Sequence, residues 1–416
     1  MTQATFPKIL TSLVVALLAF GLVAGFLIGR SSTSTVTETS RETVTKTFVN
    51  TEVRAQTIIQ TVLRTETVTQ QFREPEVKYA KFFGLTRGDG YILLRDSHNR
   101  TILAVPKNIP VPNIKADVVV RTPIERAVLM SATHVALVER LREFEPELLK
   151  RVAGLMWGRS YEWYFPAVAK SLESGLIKDV GASWSPDYEQ IVALKPDLVM
   201  IYSFPGDQIA SKLEELKIPY VVNNEYMETH PLGRFEWIKF VGALFGLEKE
   251  AYMIFHFVES NYLIISAGAR NLVERGVVSA PKVVWFSVFR GTVYVAGDDS
   301  YVAKLLQDLG AVYAFSDVRR TASATVSIEE LVRRALDADV IIISTDLIRS
   351  REDLLKEVPQ LSESKAFRQN QVYRYNSNIF QLGYFAAEEY FKELASLLYP
   401  GHIDYNELYD FFVRLG

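Results

Sequence analysis

The chain has 416 residues, enough for two domain-sized cores, with 23% charged and 48% hydrophobic residues and a net charge of -3. That charge gives no basic face for nucleic acid. The absence of cysteine excludes disulfides, thiolate metal sites, cysteine nucleophiles and an N-terminal lipid-carrying cysteine.

Residues 1–29 read as a cytoplasmic tip and a membrane anchor. The uncharged run Ile9–Gly29 is bounded by Lys8 and Arg30. About 20 residues at a 1.5 Å rise match a hydrocarbon core of roughly 30 Å. The run is longer than the apolar core of a signal peptide, so an uncleaved single-pass anchor is expected, with cleavage as the alternative. Gly21, Gly25 and Gly29 form a small-xxx-small face that suits helix packing, although glycine is common in membrane helices. Residues 30–75 are rich in Thr, Ser and Val and lack Gly and Pro up to Gln70, which predicts a stalk without a core of its own. Phe48, Ala55, Ile58 and Val62 approach heptad spacing, whereas the β-branched residues favour extended chain.

The body is expected from residue 76. Residues 78–105 hold apolar runs separated by Gly88-Asp89-Gly90 and His98-Asn99, the signals of a β-meander. Asn99-Arg100-Thr101 is an N-glycosylation sequon. Strands and helices then alternate: ERAVLM, ATHVALVERL, PDLVMIY, DQIASKLEELKI and PYVVN. This alternation predicts an α/β domain with a largely parallel sheet. Leu247–Arg275 runs without Pro and with one interior glycine, Gly268, so one unusually long helix is expected there. A second α/β set follows, with PKVVWFSV, VYVAG, ADVIIIST and VYRYN as strands. The expected plan is an N-terminal lobe over 76–246, a linking helix over 247–276 and a C-terminal lobe over 277–416.

One unit occurs twice. SPDYEQIVALKPDLVMIY (185–202) is a capped short helix, a turn and a buried strand, with Glu189 in the first helical turn. TVSIEELVRRALDADVIIIST (325–345) repeats it, with Ser327 as cap and Glu329 in the matching place. Acidic residues favour helix N-termini through the helix dipole, which explains one such glutamate more readily than a matched pair.

These segments resemble the hallmark of periplasmic-type binding proteins that serve ABC importers of iron-siderophores, haem and cobalamin. VVWFSVFRGTVYVAGDDSYVAKLLQDLGAVY resembles the start of their second lobe, and the likeness covers about residues 120–416. The resemblance implies two α/β lobes joined by one rigid helix, a ligand between them and no enzymatic activity or cofactor. It implies that Glu189 and Glu329 dock on permease arginines, as paired glutamates do in the vitamin B12-binding member. It also implies an archaeal, membrane-anchored receptor at the cell surface; the bulk of the chain after the anchor places the body outside, and that body is expected as a single copy. The hairpin region 78–105 is not part of the common core.

Aromatic residues at strand ends are candidates to wall a planar chelate: Tyr161, Trp163, Tyr164, Trp184 and Tyr202 from the first lobe, and Trp285, Phe289 and Tyr294 with Arg290 from the second. Any one of them serves equally as core. His134, at the start of a helix, is either a ligand contact or a satisfied structural histidine. Asn223, Asn224, Glu225, Glu228, Arg234 and Glu236 read first as structural, with Arg234 and Glu236 as a possible pair. The scattered histidines speak against the alternative of a zinc or manganese receptor. No P-loop, nucleophile elbow or HExxH supports an enzyme. A purely structural surface protein leaves the repeated unit unexplained.

Overall fold

The computed structural model describes residues 76–321, 323–405 and 408–416. The expected anchor and stalk lie outside the described residues. No helix among the described residues is long and apolar enough to cross a membrane.

The body opens with the expected meander, β1 (Gly84–Gly88), β2 (Tyr91–Arg95) and β3 (Thr101–Pro106), to which β4 (Val118–Thr122) adds in parallel. Its role is visible in its second turn. The Asp96 carboxylate accepts the Val222 N–H at 3.1 Å, and the Ser97 N–H donates to the Val222 carbonyl at 3.1 Å. Arg100 stacks 3.7 Å from the Tyr220 ring centroid. The turn thus covers backbone groups of an edge strand that would otherwise stand open to pairing.

That strand belongs to the first α/β half. The chain passes through β5 (Ala127–Leu129), α1 (Ala132–Leu141), β6 (Val152–Leu155), α2 (Pro166–Glu173), β7 (Lys178–Asp179), the small hairpin β8 (Gly181–Ala182) and β9 (Ser185–Pro186), α3 (Tyr188–Leu194), β10 (Leu198–Ile201), α4 (Ile209–Glu215) and β11 (Tyr220–Val222). The sheet is parallel throughout, in the order β11-β10-β5-β6-β7. Helices α5 (Pro231–Glu236) and α6 (Ile238–Phe245) lead into α7 (Glu248–Glu274), the long helix. It runs unbroken through Gly268 and ends before Gly276, whose φ of 67° suits a residue without Cβ.

The second half contains β12 (Lys282–Phe289), β13 (Thr292–Ala296), α8 (Tyr301–Asp308), β14 (Val312–Tyr313), β15 (Ser323–Val326), α9 (Ile328–Ala335), β16 (Val340–Ile343), α10 (Arg351–Glu357), α11 (Lys365–Arg368), β17 (Val372–Tyr375), α12 (Ile379–Phe385), α13 (Ala387–Leu398) and β18 (Phe412–Arg414). Its sheet is mixed: β12, β16 and β17 are parallel neighbours, and antiparallel strands flank them.

The repeated unit folds alike in both halves. Asp187 caps α3 by accepting the Gln190 N–H at 2.8 Å, and Ser327 caps α9 by accepting the Glu330 N–H at 3.1 Å. Each helix lays a short apolar face inward, Ile191 and Leu194 or Leu331 and Ala335. Each leads to a strand buried on both sides, as a central parallel strand should be.

The halves are not loosely hinged. One core cluster runs through both, and α7 packs on α6 from the first half and α13 from the second. Across the other side, α12 lies on α1. There the buried Gln381 amide donates to the Glu162 carbonyl at 2.7 Å and accepts the Tyr164 N–H at 3.0 Å. Arg140 of α1 pairs with Glu388 of α13 at 2.7 Å.

Candidate functional site

Between the halves lies a pocket of about 130 Å³. From the first half it is lined by Thr133, Tyr226, Pro231 and Arg234; from the second, by Tyr301, Tyr375, Tyr384 and Tyr390 with apolar residues of α12 and α13. The turn 225–236 positions the arginine. Its Nε donates to the Glu228 carbonyl at 3.3 Å and a terminal nitrogen donates to the Tyr226 carbonyl. Its guanidinium carbon lies 3.5 Å from the Tyr301 ring centroid, a cation–π contact that crosses between the halves.

Among the described residues, Arg234 is the one charged residue lining the pocket. Burial works against its charge, but Tyr384, Tyr301, Glu225 and Tyr375 outweigh it and hold the guanidinium more firmly protonated. Burial likewise pushes the Tyr375, Tyr384 and Tyr390 hydroxyls up, so at neutral pH they remain O–H donors. The Tyr301 and Tyr375 hydroxyls stand 3.1 Å apart. The Tyr390 hydroxyl, in a residue only 7% exposed, faces the Tyr301 and Tyr375 hydroxyls but makes no hydrogen bond of full geometry among the described residues. The pocket therefore offers one fixed cation and several donors, a complement to an acceptor-rich anionic group.

The same turn is anchored from behind. Glu236 accepts the backbone N–H groups of Lys78, Tyr79 and Ala80, and Glu228 accepts those of Lys81 and Phe82. Glu236 does not pair with Arg234: its ionic partner is Lys239, at 2.7 Å. The segment 78–82 therefore acts as a strap that satisfies two buried carboxylates on either side of Arg234.

Of the aromatic candidates singled out in the sequence, Tyr202 neighbours the pocket from the first half through Tyr226. Its ring meets Tyr226 edge-on at 6.3 Å and neighbours Phe204 at 6.2 Å, so it extends the aromatic wall outward. Tyr164 reaches the second half through its hydrogen bonds to Gln381 and the Ser377 hydroxyl. Tyr161 and Trp163 pack edge-on at 5.7 Å, and the Trp163 indole donates to the Gly158 carbonyl at 3.2 Å. Trp184 is 78% exposed at the tip of the β8–β9 hairpin and meets Trp157 at 4.6 Å. Trp157 itself adopts a φ of 66°, a strained conformation for so bulky a residue. Phe289, Arg290 and Tyr294 are exposed on the β12–β13 hairpin, where Arg290 lies 5.0 Å from the Phe289 ring.

Two expectations need correction. Trp285 is 2% exposed and packs edge-on against Tyr375 and Phe412, because it lies within the stretch 283–286 of β12, a central strand segment that is buried throughout. It backs the pocket wall instead of forming it. His134 is fully buried, with Nε2 3.1 Å from the Asn223 carbonyl and 3.4 Å from Glu225. Its neighbour Thr133 takes the place at the pocket and donates to Glu225 at 2.6 Å. Arg234 reads first as structural in the sequence, and the pocket residues missed there are Thr133, Tyr226 and the four second-half tyrosines. The one available signal was the polar loop ETHPLGRFEW, where an arginine follows a helix-starting His-Pro.

Glu189 and Glu329 are both exposed in the first turns of α3 and α9. Hydrogen bonding by the local backbone and the Ser327 hydroxyl holds the Glu329 carboxyl below its ordinary range. Among the described residues no three His, Asp or Glu side chains converge at a metal-ligand spacing.

The periplasmic binding protein profile matches residues 160–379. An uncharacterized lipoprotein of Methanocaldococcus jannaschii is 33% identical over 323 residues, which cover 74% of this chain and 75% of that one. The chain belongs to the periplasmic binding protein family. Its fold is that of the petrobactin-binding protein YclQ of Bacillus subtilis, with a TM-score of 0.54, 17% identity and coverage of 77% of this chain and 99% of that one. A periplasmic haem-binding protein of Pseudomonas aeruginosa is similar, with a TM-score of 0.52, 18% identity and coverage of 67% and 93%.

Proposed function

We propose that the protein is an extracytoplasmic receptor that captures a metal chelate of the iron-siderophore, haem or cobalamin class between its halves and delivers it to an ABC importer. The observation that carries this reading is Arg234, a held cation among phenols at the junction of the two halves. A fixed positive charge repels a bare metal ion and attracts the carboxylate or phenolate arms of an organic chelate. Ligand pockets usually enclose about 300–1,000 Å³, so the 130 Å³ here suits one arm or ring, with the remainder held against the aromatic wall of Tyr202, Phe204 and Tyr226. Glu189 and Glu329 serve as docking charges for the permease. The relative's designation as a lipoprotein supports a membrane-attached location, and here the apolar run 9–29 takes the anchoring role that a lipid-bearing cysteine cannot fill.

The absorbance spectrum of the protein purified from its own cells tests the ligand class. A bound corrinoid, haem or ferric chelate gives a visible band, and titration of stripped protein with haemin, cobalamin and a ferric siderophore then identifies which one quenches aromatic fluorescence. A colourless protein that binds none of the three refutes the proposal.

A further inference from the structure

The N-terminal segment 78–105 precedes the residues 160–379 that the family profile matches, yet it grips the loop that forms one side of the pocket. That loop runs from Asn223, at the end of β11, to Glu236 and supplies Tyr226, Pro231 and Arg234 to the pocket. Its first end is held by the second turn of the meander. The Ser97 hydroxyl accepts the Asn224 N–H at 3.1 Å, and His98 Nε2 lies 2.8 Å from the Ser203 hydroxyl. The Asn224 side-chain carbonyl accepts the Ser203 N–H at 2.8 Å, and the Ser203 backbone carbonyl accepts the Tyr226 hydroxyl. The far end is held by the strap. Glu228 and Glu236 are 1% and 0% exposed, and five successive N–H groups, from Lys78 to Phe82, donate to their carboxylates. Carboxylates buried this deeply are tolerated only where donors surround them. The strap also lies directly against the residue before Arg234: a Cβ at Gly233 would stand 3.1 Å from the Tyr79 carbonyl oxygen.

The link from strap to pocket is short. The Lys81 and Phe82 N–H groups donate to the Glu228 carboxylate at 2.8 and 2.9 Å, and the Glu228 carbonyl accepts the Arg234 Nε–H at 3.3 Å. We infer that the strap is a positioning part of the ligand site: its backbone N–H groups, acting through Glu228, fix the place and direction of the Arg234 guanidinium. The inference rests on reading the pocket as the ligand site. A guanidinium grips an acidic group through a planar fork of donors, so its value depends on orientation as much as on charge. Deprived of strap donors, the Glu228 carboxylate turns towards water and its carbonyl moves with it. Capture then loses a preorganised cation, although the core of both halves stays intact.

Lys81 is exposed, and its backbone N–H can be deleted without touching a pocket residue. Full-length Lys81→Pro, Lys81→Ala, Arg234→Ala and the Lys81→Pro, Arg234→Ala double variant are titrated with haemin, cobalamin and a ferric siderophore. Lys81→Pro should weaken whichever probe binds by at least about fivefold, whereas Lys81→Ala, which keeps the N–H, should retain most of the affinity. In the Arg234→Ala background Lys81→Pro should cost less than about twofold, because two changes that act on one contact do not add. Unchanged binding by Lys81→Pro, an equal loss in Lys81→Ala, or the same fivefold loss repeated in the Arg234→Ala background overturns the inference. Hydrogen exchange in the empty protein needs no ligand. The amides of residues 226–236 should exchange at least about tenfold faster in Lys81→Pro, while those of β10 keep their protection. Equal exchange in the two proteins also overturns the inference. If circular dichroism shows that Lys81→Pro does not fold, Glu228→Gln, which keeps the side chain's size and loses its charge, takes its place in the same measurements. If no probe binds, or Arg234→Ala leaves binding unchanged, the ligand reading is what fails, and the exchange rates decide for or against the strap.

Discussion

Arg234 shows how one side chain joins two halves: two of its donors are held by carbonyls of its own turn, and its face lies on Tyr301 from beyond the long helix. Replacing it by Ala should weaken chelate binding at least tenfold, since a hydrogen bond to a charged group contributes about 1.5–3 kcal/mol. Lys should not rescue it, because an ammonium lacks the planar fork that both donates and stacks. Fluorescence titration of the two variants checks this, and full affinity in either removes Arg234 from the site. Tyr390→Phe has a distinctive expected outcome. A buried hydroxyl that makes no hydrogen bond of full geometry costs about 1–3 kcal/mol, so its removal should raise the melting temperature of the free protein while lowering ligand affinity. A fall in both would mean that the hydroxyl is satisfied within the protein. Trp184→Ala and Tyr202→Ala should each weaken binding of a planar chelate by about 0.5–1.5 kcal/mol through lost stacking; unchanged affinity in both returns them to a packing role.

At the scale of elements, the strap and the start of α5 respond to acid together. His230 caps α5 with neutral Nδ1, which accepts the Leu232 N–H at 3.1 Å, and its ring packs 4.6 Å from Tyr79 of the strap. Burial is the largest cause lowering its pKa, to about 4 from the ordinary 6.5. Between these values the unfolded chain binds the proton and the folded protein does not, so stability rises with pH there and is lost as pH falls from 6.5 towards 4. Glu259 acts lower down. Burial alone would raise its pKa, but His256, Lys78 and Tyr79 override it and bring it to about 2. Its contribution is present above about 4.5 and is lost as pH falls towards 2. Melting temperatures measured from pH 7 to 4 should therefore fall, and His230→Asn, which keeps a capping side chain but cannot titrate, should flatten that fall. An equal slope in the variant would place the acid sensitivity elsewhere.

For the whole molecule, the two exposed glutamates allow transport to be separated from capture. Exposed ion pairs add only about 0.2–1 kcal/mol each, so the Glu189→Lys, Glu329→Lys double variant should keep its ligand affinity and melting temperature. Transport should stop, because complementary charge governs encounter and register with the permease. Unfolding of the variant would make the glutamates helix caps alone, and undiminished transport would end the docking proposal. Small relative motion of the halves is expected on ligand binding, since α7 is continuous and the Gln381 clasp spans the junction. A large drop in radius of gyration on binding, measured by solution scattering, would contradict this.

The elements of this protein were legible because their signals are local. Asp187 and Ser327 cap helices through bonds to residues three positions on, the bare apolar runs LVMI and VIII have the pattern of strands buried on both faces, and the span from Leu247 to Arg275 lacks the residues that end a helix. Helix formation and the burial pattern of a strand depend on neighbours along the chain, so the repeated unit, the main strands and the long helix follow from sequence alone, whereas the antiparallel edges of the second sheet do not. Nor does the pocket. Arg234 and Tyr301 are brought together only when α7 folds one half back against the other, and nothing in ETHPLGRFEW shows which side of its turn will face that junction. Burial was undecided for the same reason: Trp285 and Trp184 read alike as strand-end aromatics, but one lies in a central strand and the other at a hairpin tip, 2% and 78% exposed. Side-chain direction along a strand is local, whereas solvent access depends on what packs above it, and that is fixed only by the tertiary structure.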